Sequence, residues 1–299
     1  MRRPFITVLF LSVAAGMALN ALTIPIRSAP TLFAAQHARH PTSALVSGGD
    51  SRPRPLQDDR RAAFTRQVQR GDAYSAKLAA ELALSCERYA DHTFASTLHR
   101  IEGANRPVSV KAKQKAVAEQ QRTSCIGFDL AALSTAVELA RLAYRSGDLH
   151  AFAWYLPADA SLPELIARAQ AAAALQDPVA LREVAVFFER RVDSTASTTY
   201  DLGDDRFVTR NIIRDAFYLA ACEFGDDCGP SNPHVTGRCV DAGWCDAGSL
   251  GDLYLAYAYP PADADSLLRT RDLIVAGVRS GHWPSGLWHP LGYDMYSGE

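Results

Sequence analysis

The 299-residue sequence predicts an all-α protein, an irregular α-hairpin array of antiparallel, repeat-like helix pairs tied by disulfides. Three observations predict it. Apolar residues recur at helical rather than alternating spacing nearly everywhere after residue 57. Gly-Asp and Asp-Pro dipeptides punctuate that pattern where helices should begin. Six cysteines, an even number, follow an N-terminal apolar run that would export the chain to where thiols are oxidised.

Residues 1–26 open with Arg2 and Arg3 and then run almost uncharged from Phe5 to Ile26, roughly the 20 residues that span a bilayer as a helix. They read as a signal peptide or a membrane anchor. The poorly flanked small-residue sites at Ala18, Ala21, Ala29 and Ala34 favour an uncleaved inner-membrane tether, with the arginines kept on the cytoplasmic side. Residues 27–57, broken by Pro30, Pro41, Pro53 and Pro55, read as a flexible linker. Residues 58–299 are then the helical domain, long enough for one continuous core or two small ones.

Within that domain Asp58 to Arg70 forms a first helix, and Gly71-Asp72 opens a second over Asp72 to Arg88. Asp72 is the expected N-cap, and the buried stripe is Ala76, Ala79, Ala80, Ala83 and Leu84. Leu130 to Ser146 leads into Gly147-Asp148 and a short helix Leu149 to Leu156. Leu162 to Leu175 leads into Asp177-Pro178 and Val179 to Val192, with proline at the favoured first position. Asp193 to Asp205, poor in apolar residues, reads as a surface loop. Helices resume at Arg210 to Phe224, ended by Gly225, and at Leu250 to Tyr257 and Asp263 to Ser280, the last ended by Gly281. The tail holds Trp283, Trp288, Tyr293 and Tyr296, which are expected to fold back onto the helices rather than stay exposed.

Two stretches carry a family resemblance. Gly71 to Ala83, and Ala216 to Gly225 with its Ala-Phe-Tyr-Leu-Ala-Ala-Cys-Glu-Phe-Gly run, resemble Sel1-like and tetratricopeptide helical repeats, in which paired alanines run into glycine before the next helix. The glycine-rich loop typical of Sel1-like repeats is missing. Ala221 to Cys245 is similar to the cysteine-bearing end of uncharacterised exported helical proteins of Gram-negative bacteria. That resemblance implies an extracytoplasmic address, periplasmic, membrane-anchored or secreted, and a fold rather than an activity.

Cys222, Cys228, Cys239 and Cys245 cluster in a cysteine-rich loop over residues 222–245, with Cys86 and Cys125 upstream. A zinc site is the sharper alternative, but its cysteine pairs usually stand two to four residues apart, whereas five intervene here. Disulfides are therefore expected. Four cysteines allow three connectivities. The favoured one joins Cys222 with Cys239 and Cys228 with Cys245, leaving Cys86 with Cys125.

The formal net charge is -2, with an excess of basic residues before Val192 and of acidic ones from Asp193 onward. Nucleic acid is excluded as a partner, because the basic stretch of Arg100, Arg106, Lys111, Lys113, Lys115 and Arg122 lacks interleaved aromatics and reads as a solvated helix face. No cofactor or metal motif is present; Asp201, Asp204 and Asp205 around Gly203 lack the alternation of a calcium loop. Glu81, Glu138, Glu164 and Glu183 fall on predicted helices and read as exposed faces, and His92, His99, His150 and His234 are scattered. His282 and His289 flank Trp283 and Trp288, and these four are the candidate binding groove, with plain packing of the tail as the favoured alternative. The expected role is non-enzymatic binding of a protein or peptide in the cell envelope. The rival is an envelope hydrolase that cuts glycan or peptide with a carboxylate or histidine.

Overall fold

The computed structural model describes residues 60–128, 130–153, 161–190, 198–203 and 206–291. The apolar run Phe5 to Ile26, the linker 27–57, Asp204, Asp205, Tyr293, Tyr296 and the end of the expected helix Leu149 to Leu156 lie outside them. The described chain is mainly helical: α1 (Arg60–Arg70), α2 (Ala73–Glu87), α3 (Asp91–Gly103), α4 (Val108–Ser124), α5 (Leu130–Arg145), α6 (Leu162–Ala173), α7 (Pro178–Arg190), α8 (Arg210–Glu223), α9 (Pro233–Ala242), α10 (Leu250–Asp252) and α11 (Pro261–Ser280). None of these helices is long and apolar enough to cross a membrane.

Local signals set many of the ends. The Asp72 carboxylate accepts from Ser75 N at 2.8 Å, capping α2, and the Asp177 carboxylate accepts from Val179 N and Ala180 N at 2.9 and 3.2 Å, capping α7. Ser161 caps α6, and Gly281 closes α11 in the left-handed region at φ 73°.

Two large apolar cores form among the described residues, with a small third cluster of Ala76, Ala143 and Ala151. The first gathers Phe64, Ala79, Ala80, Ala83, Phe94, Ala118 and Phe128 between α1, α2, α3, α4 and the start of α5. The second gathers Leu181, Phe187, Phe188, Ile213, Phe217 and Trp288 around α7 and α8, flanked by α6 and α11. Alanines at the α2–α5 and α7–α8 contacts let these helices approach closely. Consecutive pairs exist, α1 with α2, α3 with α4 and α6 with α7, but α2 also packs on α5, α4 on α9 and α8 on α11. Those long-range contacts depart from a simple nearest-neighbour array of repeats.

Four expectations change. Thr199–Asp201 and Phe207–Thr209, inside or beside the expected loop, form strands β1 and β2 of an antiparallel hairpin with Tyr200 opposite Val208. The hairpin persists because Tyr200 is fully buried with its ring against Phe188. Leu149 to Ala153 is a turn rather than a helix: the Asp148 carboxylate takes His150 N at 2.8 Å. The cysteine-rich loop contains α9, started by the Asn232 side chain accepting from His234 N. Leu253–Ala258 continues α10 as a π-helical turn.

All six cysteines are paired, and Cys86 joins Cys125 as expected, with a Cα separation of 5.3 Å. The other pairing is corrected: Cys222 joins Cys228 and Cys239 joins Cys245, with Cα separations of 5.8 and 4.2 Å. The physical cause is a left-handed glycine inside each pair. Gly225 (φ 102°) and Gly243 (φ 79°) reverse the chain just past α8 and α9, returning each second cysteine to the helix end it left.

Candidate functional site

A cleft of about 670 Å³ opens between the first core and the cysteine segment. On α4, Val117, Gln120, Gln121 and Ser124 follow i, i+3, i+4, i+7 spacing and so share the face turned to it. Arg60 and Ala63 come from α1, Leu82 from α2, and Val235, Thr236 and Cys239 from α9. The Cys239–Cys245 bridge folds the chain over the end of α9 and sets Trp244 at the lip. Trp244 is held there from two sides, near-parallel to the Tyr257 ring at 6.0 Å and beneath the Arg238 guanidinium at 5.9 Å.

The lining mixes apolar side chains, Ala63, Leu82, Val117 and Val235 among them, with the amide and hydroxyl groups of Gln120, Gln121, Ser124 and Thr236. Asp227 is the one carboxylate among its described lining residues, and its oxygens already accept from Gly229 N at 3.0 Å and Ser231 Oγ at 2.9 Å. Arg60 is the cation. It is half-buried, and its hydrogen bond among the described groups runs from Nη1 to Cys125 Sγ at 3.7 Å. Burial pushes its guanidinium below the usual value, partly opposed by the charge interaction with Tyr89. Arg88, Arg182 and Arg214 behave oppositely. Each is buried in part, yet each is raised because a carboxylate faces it: Asp241, Glu81 with Asp226, and Asp215 respectively.

A second polar assembly bridges the two cores. Lys77 of α2 pairs with Glu183 of α7, both fully buried, and also approaches Glu81 at 3.4 Å. Arg182 holds Glu81 at 2.9 Å and Asp226 at 2.5 Å, and Ala153 N donates to the far oxygen of Glu183 at 3.0 Å. Burial raises the Glu183 carboxyl and the attraction of Lys77 only partly offsets it; in Glu81 the charges of Lys77 and Arg182 outweigh burial and lower the carboxyl. Glu183 was read from sequence as an exposed face residue. It is instead sealed in the interior, whereas Glu138 and Glu164 are exposed and paired with Arg141 and Arg168.

Near the π-helical turn, Asp215 is 2% exposed and accepts from Arg214 Nε at 2.6 Å and from the Tyr259 hydroxyl at 2.6 Å. His150 stands between two carboxylates, 2.9 Å from Asp148 and 3.6 Å from Asp177, with Tyr74 edge-on to its ring. Among the described residues no cluster of three or more potential metal ligands forms.

Of the candidate tail groove, Trp288 follows the packing alternative. Trp288 is 2% exposed, stacked on Phe188 at 6.0 Å and close to Phe217, so it fills the second core rather than lining an opening. Trp283 meets it edge-on at 5.4 Å, and His282 and His289 lie outside at the surface. Apart from Cys239 and Cys245, the cleft residues were missed because they come from four separate helices and the segments around α9. The single local signal for the bridges was a glycine between the members of each pair. No known protein family, curated protein or solved structure matches the chain.

Proposed function

We propose that this chain is a non-enzymatic binding protein of the cell envelope, exported or anchored through Phe5 to Ile26, that takes a peptide or extended protein segment in the cleft between α1, α2, α4 and α9. The cleft carries this reading. Its volume lies within the range of concave ligand sites, roughly 300–1,000 Å³, which combine apolar walls with a few placed polar groups. Apolar walls take side chains, and Gln120, Gln121, Ser124 and Thr236 can exchange hydrogen bonds with a ligand backbone. Two bridges, Cys86–Cys125 and Cys239–Cys245, brace opposite walls and limit the entropy lost on binding. Three disulfides also support an oxidising address, as in the periplasm.

The hydrolase reading gets less support. Glu81 and Glu183 share Lys77, but Glu183 is sealed in the interior, and among the described lining residues of the cleft Asp227 is the one carboxylate where glycan cleavage uses two. A photo-crosslinking residue in place of the exposed Gln120, in the full chain within its own cells, should yield peptide or protein adducts that the same residue at Asp265 of α11 does not. Equal labelling at both positions, or none at Gln120, would sink the proposal.

A further inference from the structure

The cation of the cleft has no carboxylate against it among the described residues. Arg60 starts α1 at the cleft wall, half out of water. The other partly buried arginines with displaced guanidinium titration are each met by a carboxylate within hydrogen-bond reach, Arg182 by Glu81 at 2.9 Å and Arg214 by Asp215 at 2.6 Å. Taking a guanidinium partly out of water without a counter-charge is unfavourable, and a protein leaves it so where something else supplies that charge.

We infer that the cleft recognises the C-terminal carboxylate of a short peptide, held by Arg60, with the side chain of the peptide's last residue against the apolar lining residues Ala63, Leu82 and Val117. This rests on the peptide-binding reading of the cleft and names what that reading leaves open. The planar guanidinium presents paired N–H donors that match a carboxylate in two parallel bonds, a geometry an ammonium cannot reproduce. An α-carboxylate is favoured over an acidic side chain because the terminal residue then places charge and apolar side chain on one carbon, as the cleft places Arg60 beside Ala63 and Leu82. Asp227, the carboxylate of the same lining, disfavours a second negative charge and suits a peptide N–H or amine.

The test uses the full oxidised chain and a pooled hexapeptide library, ending in each of the twenty residues, prepared as free acids and as C-terminal amides. Retained peptides are read by mass spectrometry and retested singly by calorimetry. The expected result is retention of free acids with large apolar last residues, a loss of tenfold or more on amidation, and a similar loss in Arg60→Gln with partial recovery in Arg60→Lys. The amide arm needs no variant, so misfolding of Arg60→Gln leaves the test intact. Acids and amides retained equally would overturn the carboxylate inference and leave the peptide reading standing. Retention governed by internal Asp or Glu would overturn it in favour of an acidic side chain. If neither form is retained, the peptide reading falls and the inference with it.

Discussion

The ammonium of Lys77 and the carboxylate of Glu183, 106 residues apart, pair in the interior with neither side chain exposed, and the pair joins α2 of one apolar core to α7 of the other. Glu81, Arg182 and Asp226 extend it to the edge of the molecule. Two helices whose apolar faces turn to different cores are thus held by charge.

Removing one member should strand the other. Lys77→Met or Glu183→Gln is expected to cost about 3–5 kcal/mol, while Lys77→Met with Glu183→Leu, which leaves no buried charge of that pair, should recover much of the loss. Denaturant unfolding of the three variants checks this, and a double variant weaker than both singles would refute it.

The cross-links make a graded prediction. Peptide mapping of unreduced protein should find Cys86–Cys125, Cys222–Cys228 and Cys239–Cys245. In the chain-entropy picture the 39-residue separation of Cys86 and Cys125 contributes about 4 kcal/mol and each six-residue separation about 2 kcal/mol. Serine pairs at each bridge, compared by thermal melting, should therefore rank Cys86–Cys125 as the most damaging loss.

His150 predicts a pH response. Burial pushes its imidazole down, but the hydrogen bond and charge of Asp148, with Asp177 and Glu183 beyond, outweigh burial and leave it above the ordinary histidine value. A group raised on folding stabilises the fold fully below its unfolded value and loses that contribution as pH climbs through the folded one. Stability should therefore fall as pH rises from just below the ordinary histidine range to above it, and His150→Gln should flatten that slope. A slope unchanged in His150→Gln would show that other groups cause it.

The two tryptophan sites should separate. Trp288→Ala removes a ring stacked on Phe188 and packed at a tilt against Phe217, and is expected to cost about 3–5 kcal/mol. Trp244→Ala, at the cleft lip, should cost far less stability yet abolish the crosslinks at Gln120. Comparable melting losses in both would assign Trp244 to the core.

Features with local causes were legible along the chain. An aspartate that reaches an amide three residues on, as Asp72 does with Ser75, caps a helix whatever surrounds it, and Gly281 ends α11 because only glycine enters the left-handed region without strain. The even cysteine count and helical apolar spacing likewise forecast the helical, disulfide-bonded class. Tertiary structure alone decided the rest. Tyr200 stays in a hairpin because Phe188 buries it, Glu183 is sealed because Lys77 arrives from α2, and Arg60 lines a cleft because α4 and α9 close against the first core. Those residues lie from twelve to more than a hundred positions apart, and a period read along one helix carries no record of which distant face it will meet.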